Sequence, residues 1–320
     1  MSGIRQLFRE VECSWSRYRA MWREEGTQIA IRVALGKARM LFLRDVLRRR
    51  LVKRFVSAIG APMYVDLTDP GFSRTIFYRG VHEPLATEIV KRELMPGMTA
   101  IDIGANMGYY TLSEAQLVGD EGLVLAIEPV PTTFSILRKN VELNQLRNVR
   151  LFQVAIGDHD GIAEMYVTEK LNWSHLNHGM HHSSRAEDIQ KSLRQVIKVP
   201  IQTLDSFVTM HQISTVNFLR MDVEGYEIAV FQGGWNTIAD QSAHHLFKMF
   251  VEVHPFLVED RMPFSQLVQS LASCGLRTKS IAYHGEIIAE WPPMEEVTEF
   301  LCQEEFREAP HLLFSNERGG

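Results

Sequence analysis

Four side chains capable of proton chemistry stand in two pairs, Asp222 and Glu224 around Val223, and Glu252 and His254 around Val253. Each pair closes an apolar run, "VNFLRMDV" and "FKMFVEV". Residues two apart on a strand point the same way, so all four can face one cleft. Such a set suits two chemistries. A carboxylate or an imidazole can take a proton from an acceptor near neutral pH, with His254 the natural base and Asp222 closest to the reacting centre. The same four residues can hold a divalent cation that acidifies a bound hydroxyl directly. The spacing does not discriminate between these. Glu224 and Glu227 also admit a plainer role, as carboxylates favoured by a helix N-terminus.

A second stretch, "TAIDIGANMGYYT" from Thr99 to Thr111, reads as a strand, a glycine turn and a helix. A dinucleotide turn needs a small second glycine where the backbone meets the pyrophosphate. Asn106 occupies that position here, and Asp102 places negative charge beside it. A phosphate-free cofactor with a cationic ammonium fits better. Glu128 ends the next strand and is placed for ribose hydroxyls, as in many nucleotide sites. Asp158, after "VAIG", is placed for an adenine amino group. Together these residues favour S-adenosylmethionine over NAD.

The elements that must position these groups alternate. "TAIDIG", "LVLAIE", "VRLFQVAI", "VNFLRMDV" and "FKMFVEV" read as strands, with "YYTLSEAQLV", "TFSILRKNVELN" and "FSQLVQSLASCG" as helices. This predicts a mostly parallel sheet with helices on both faces, extended at one edge by "TKSIAY", "EIIAEW" and "HLLFS". Ligands bind such sheets at the carboxyl ends of the strands, where the candidate residues fall.

Composition divides the chain. Residues 1–60 hold 14 Lys/Arg against 5 Asp/Glu, and the other 260 hold 20 against 34. The first part reads as a basic helical extension, with Leu43, Leu47, Leu51, Phe55 and Ile59 recurring every four residues. Such a helix can pack on the protein's own body or on a partner subunit, as in a homo-oligomer, lie peripherally on an anionic membrane, or serve as a flexible arm or nucleic-acid contact. The acidic remainder, residues 61–320, argues against nucleic acid as partner. Three separated cysteines suit a reducing compartment, and no apolar run spans a bilayer or forms a signal peptide, so a cytoplasmic protein is expected.

From about Val81 to Pro255 the chain resembles the FkbM-type S-adenosylmethionine-dependent methyltransferases. The carriers are "GVHEP", "PGMTAIDIGANMGYYT", "AIEPVP", "VAIGD", "TLDSF", "LRMDVEGYE" and "VEVHP", and the pairing of "TLDSF" with "DVEGYE" makes the match specific. The resemblance implies a seven-stranded class I, Rossmann-like sheet. It also implies methylation of a hydroxyl on a sugar, glycan or secondary metabolite. Asp102, Gly104, Asn106 and Gly108 would line the methionine end of the cofactor, with Asp222 nearest the methyl group. Glu128 would hold the ribose, Gly157 and Asp158 would border the adenine, and Glu83 would help with the amino-acid portion. An amine acceptor is the alternative, although the Asn-Pro-Pro-Tyr-like tetrapeptide of many amino-group methyltransferases is replaced by "DVEG". A non-catalytic cofactor-binding protein is a further one.

The resemblance does not cover a His-rich insertion, about residues 170–195. Within it, "LNWSHLNHGMHHSS" carries Trp173, His175, His178, His181 and His182. An acceptor-binding lid using Trp173, His175 and His178, a solvated loop and a metal clip are the three readings.

Overall fold

The computed structural model describes residues 27–170, 173–176, 191–257, 262–302, 306 and 308–317. The chain forms two compact units, which divide between His82 and Glu83.

In the first unit, α1 (Thr27–Leu41) runs into a short π-turn at Phe42–Val46. An antiparallel hairpin follows, β1 (Leu51–Val56) and β2 (Ala61–Asp66), then α2 (Phe72–Arg79). The helical spacing expected through Ile59 therefore stops near Val46. From Leu51 the burial has a period of two instead: Ala61, Met63 and Val65 are buried while Pro62 and Tyr64 between them are half-buried. Gly60, at φ +63°, supplies the left-handed residue of the turn. The unit also extends past residue 60, to His82.

The second unit contains β3 (Thr99–Ile103), β4 (Leu123–Ile127), β5 (Val149–Phe152), β6 (Ala155–Gly157), β7 (Gly161–Thr168), β8 (His175–Leu176) and β9 (Leu193–Thr203). These are followed by β10 (Phe218–Met221), β11 (Lys248–Glu252), β12 (Arg277–Tyr283), β13 (Glu286–Glu290) and β14 (His311–Ser315). Its helices are α3 (Pro84–Glu93), α4 (Tyr109–Val118), α5 (Pro131–Leu143), α6 (Leu204–Met210), α7 (Glu227–Gly233), α8 (Trp235–His244), α9 (Met262–Ser273) and α10 (Met294–Leu301).

The main sheet has the order β13-β12-β14-β11-β10-β3-β4-β5. Five consecutive strands, β11-β10-β3-β4-β5, are parallel, and β14 lies antiparallel between β11 and β12. Seven strands thus form the expected sheet, and β13 adds an eighth at the edge that the three C-terminal runs foreshadowed. Central positions are buried on both faces, as a sheet covered by helices requires.

The run "VRLFQVAI" is not one strand. It breaks after Phe152, and β6 joins a second sheet of order β6-β9-β7-β8. The His-rich insertion lies between β7 and β9 of that sheet; His178, His181 and His182 lie outside the described residues. No helix among the described residues is long and apolar enough to cross a membrane.

Candidate active site

The chain leaves β3 for β4 and β5 on one side and returns at β10 on the other, so the sheet's switch point lies between β3 and β10. Register pairs Asp102 with Arg220 across these strands. Arg220 is buried, and it donates to Asp102 Oδ1 and to Asp222 Oδ2, each at 3.0 Å. Its guanidinium carbon lies 4.0 Å from the centre of the Tyr110 ring, and the Tyr110 hydroxyl donates to Glu83 Oε2 at 3.0 Å. Thr111 donates to the other oxygen of Asp102 at 2.7 Å. Arg220 stands two residues before Asp222 on the same strand face, a spacing that is readable in the sequence.

The turn after β3 is shaped by close approach. Gly104 has φ +81°, and a Cβ there would run into the carbonyl oxygen of Asp222. Asn106 has φ +51°, and its amide donates to Glu128 Oε2 at 3.0 Å. Gly108 has φ +93°, and a Cβ there would stand 2.7 Å from Leu137 Cδ1. The other Glu128 oxygen accepts from the Val130 amide at 2.8 Å. Burial pushes the Glu128 carboxyl up to about 7 against the pull of these two amides.

A cleft opens at these strand ends. Gly104, Asn106 and Glu128 line it, together with the apolar Val130, Val154, Ala155 and Ile156 and with Asp222, Val223, Glu224 and Tyr226. Met165, Ser174, His175 and Leu176 close it from the β7–β8 side. His175 is buried, which depresses its basicity, and its Nδ1 lies 3.0 Å from the Trp173 carbonyl. Trp173 sits under the Lys170 ammonium, 3.2 Å from its ring centre, and is not among the lining residues. Neither are Gly157 and Asp158. A Cβ on Gly157 would meet Ile201 and Tyr226, and Asp158 Oδ1 takes the Tyr226 hydroxyl at 3.2 Å and lies 2.7 Å from His159.

The "DVEGYE" segment turns sharply, with Glu224 at φ +51° and Gly225 at φ +93°. Glu227 is buried. Its Oε1 accepts the Gly225 amide at 2.9 Å and lies 2.8 Å from His254 Nδ1. Nε2 of His254 lies 3.4 Å from Glu224 and 3.7 Å from Glu252. Burial alone would lower the His254 pKa, but Glu224, Glu227 and Glu252 together raise it well above 6.5. Burial and the neighbouring Glu252 push Asp222 up to about 7, although Arg220 pulls it down. Its Oδ1 is buried without a hydrogen-bond partner. Burial, with Asp222 and Glu252 nearby, raises Glu224 well above its ordinary range, despite His254. The three carboxylates thus favour the cationic form of His254.

The four expected residues divide between two groups. Asp222, Glu224 and His254 place one potential ligand atom each within 4.8 Å of the others, whereas Glu252 also groups with Glu83 and His311. His311, opposite Glu252 in the β11–β14 register, was not foreseen. Its Nε2 lies 3.4 Å from Glu83 and 3.6 Å from Glu252, and these carboxylates lift it to about 10 against burial.

The profile of the methyltransferase FkbM domain matches residues 102–278, more than half of the chain. The chain belongs to the FkbM methyltransferase family. Its sheet is that of the class I S-adenosylmethionine-dependent methyltransferases, extended by β13. Among relatives, this FkbM-family chain is 28% identical to Methyltransferase 1 of Beauveria bassiana over 148 residues, 42% of this chain and 57% of that protein. It is 26% identical to the 31-O-demethyl-FK506 methyltransferase FkbM of Streptomyces tacrolimicus, over 51% of this chain and 67% of that one. The chain spans about half the length of the curated relatives it matches. Among solved structures, methyltransferase FkbM from Methylobacillus flagellatus aligns with TM-score 0.40 and 11% identity, over 87% of this chain and 60% of that one.

Proposed function

We propose that this FkbM-family chain transfers a methyl group from S-adenosylmethionine to a hydroxyl of a sugar, glycan or secondary metabolite in the cytoplasm. The observation that carries the cofactor reading is the cleft lining. Glu128, Asp222 and Glu224 contribute carboxylates, and no lysine or arginine is among the described residues that line it. A wall of that kind repels a pyrophosphate and suits a phosphate-free, cationic cofactor. When bound, S-adenosylmethionine supplies a methyl group already activated for displacement.

The protein's part is to hold and align. Asp102, Gly104, Asn106 and Gly108 would form the seat for the methionine end, Glu128 would accept ribose hydroxyls, and Val130, Val154 and Ile156 would cover the adenine. Alignment of two reactants in one site is worth roughly 7–11 kcal/mol. Asp222 Oδ1, buried and unpartnered, supplies the acceptor for a substrate hydroxyl proton. With its pKa about 7, Asp222 is poised for general base work near neutrality. Asp222, Glu224 and His254 each offer one ligand atom, and a divalent cation held there would acidify the acceptor hydroxyl directly.

The relative named for 31-O-demethyl-FK506 supports oxygen as the acceptor atom. The test is a screen of hydroxylated sugars, glycans and macrolides against matched amines, with methyl-labelled cofactor. Label in an alkali-stable ether supports the proposal, and label on nitrogen alone overturns it.

A further inference from the structure

The first unit keeps one side of α1 inward. Met40 and Leu41 are buried, and the Tyr78 hydroxyl donates to Met40 Sδ at 3.4 Å. Leu35, Arg39, Phe42 and Val46 recur at four, three and four residues along the helix and its π-turn, so they share another side. All four are exposed, Leu35 by 67%, Phe42 by 52% and Val46 by 62%. Lys53 and Phe55, two apart on β1, point outward together, and Phe55 is 64% exposed. Leu47, Arg48 and Arg49, all exposed, join the two elements.

Charge and apolar surface coincide here. Between Leu35 and Phe55 the sequence has eight Lys/Arg and one acid, Asp45, and Arg44 already engages that acid through both oxygens. Arg50 turns to Asp66 at 2.8 Å, and Arg54 lies over Phe77. Arg39, Arg48, Arg49 and Lys53 are the exposed cations beside the apolar side chains.

We propose that this surface docks on an anionic lipid bilayer, with Leu35, Phe42, Val46 and Phe55 entering the headgroup layer and the four cations meeting lipid phosphates. Charge complementarity selects this occupant. A second copy would bring the same cations against them. Residues 1–26 carry five Lys/Arg and four Asp/Glu, too balanced to neutralise the patch. Nucleic acid would use the cations but leave the aliphatic side chains in water. A basic, apolar surface fits the interface of an anionic membrane.

The experiment is co-sedimentation of the full chain with phosphatidylcholine vesicles, with and without phosphatidylserine. The chain should sediment only with the anionic vesicles and be released by high salt. Combined Arg39→Glu, Arg48→Glu, Arg49→Glu and Lys53→Glu should weaken partitioning on the order of 100-fold or more. Combined Leu35→Ser, Phe42→Ser and Phe55→Ser should also lose binding, with the melting temperature unchanged because these side chains are exposed. The salt dependence of the unaltered chain tests the idea without any variant. Salt-insensitive binding, no binding to phosphatidylserine, unchanged binding by the charge variant, or the patch instead mediating dimerisation or RNA binding would overturn it.

Discussion

Asp102 and Asp222 share one guanidinium: Arg220 reaches each at 3.0 Å from a different nitrogen. The residue at the start of the cofactor seat and the residue proposed to face the acceptor are thereby fixed to each other across neighbouring strands. Arg220→Met would leave Asp102 without its cation, and breaking a buried pair this way costs about 3–5 kcal/mol. Arg220→Lys, which keeps charge but not the two-pronged reach, should retain fold and lose part of the affinity for S-adenosylhomocysteine. Denaturant melts and calorimetric titration of both variants check this. Equal affinity in Arg220→Met and the unaltered chain would contradict it.

Cofactor affinity should depend on pH through Glu128. Its carboxyl titrates at about 7, and hydroxyl donors prefer the ionised form. Affinity for S-adenosylhomocysteine should therefore rise as pH climbs through about 7 and level off above. Glu128→Gln should bind more weakly at pH 8 and lose most of this slope, since Asp222 contributes any remainder.

Transfer rates, measured on an acceptor from the screen, should follow Asp222 rather than His254. The rate should increase with pH through about 7, and Asp222→Asn should cost roughly 10²–10⁴-fold.

His254→Gln should act mainly on stability. The His254 pKa is raised in the fold, so its contribution is complete below about 6.5, the ordinary histidine value, and is lost as pH rises through the raised value. The stability gap between the unaltered chain and His254→Gln, followed by denaturant melts, should narrow toward alkaline pH. A gap that widens would show that His254 is not held as a cation.

Gly104→Ala combines a left-handed backbone with a collision against the Asp222 carbonyl. Strain alone is of order 1–3 kcal/mol. Loss of cofactor binding with a lowered melting temperature is expected, and a fully active, unshifted variant would contradict the tight β3 turn.

Much of this architecture was legible because buried parallel strands are written as continuous apolar runs. "TAIDIG" and "VNFLRMDV" mark β3 and β10, and their polar terminal residues mark the cleft. The hairpin of β1 and β2 was hidden because Leu51, Phe55 and Ile59 happen to keep a helical spacing, and only pairing with β2 reveals the two-residue period. Arg220 was obscured by its apolar neighbours, and His311 gains meaning only from strand order, which brings β14 beside β11. Glu114 is similar: it is buried in α4 near Asp102, burial raises its pKa well above the ordinary range, and nothing local announces it. His254 was recognisable as chemically capable. Its charge depends on three glutamates that only the folded chain gathers.

The most direct measurement is calorimetric titration of the full chain with S-adenosylmethionine, S-adenosylhomocysteine and NAD, repeated on Asp102→Ala and Glu128→Ala. The carboxylate-lined cleft predicts micromolar binding of both adenosyl ligands, loss in each variant, and no binding of NAD. NAD binding, or adenosyl binding untouched by both substitutions, would contradict the assignment of this cleft.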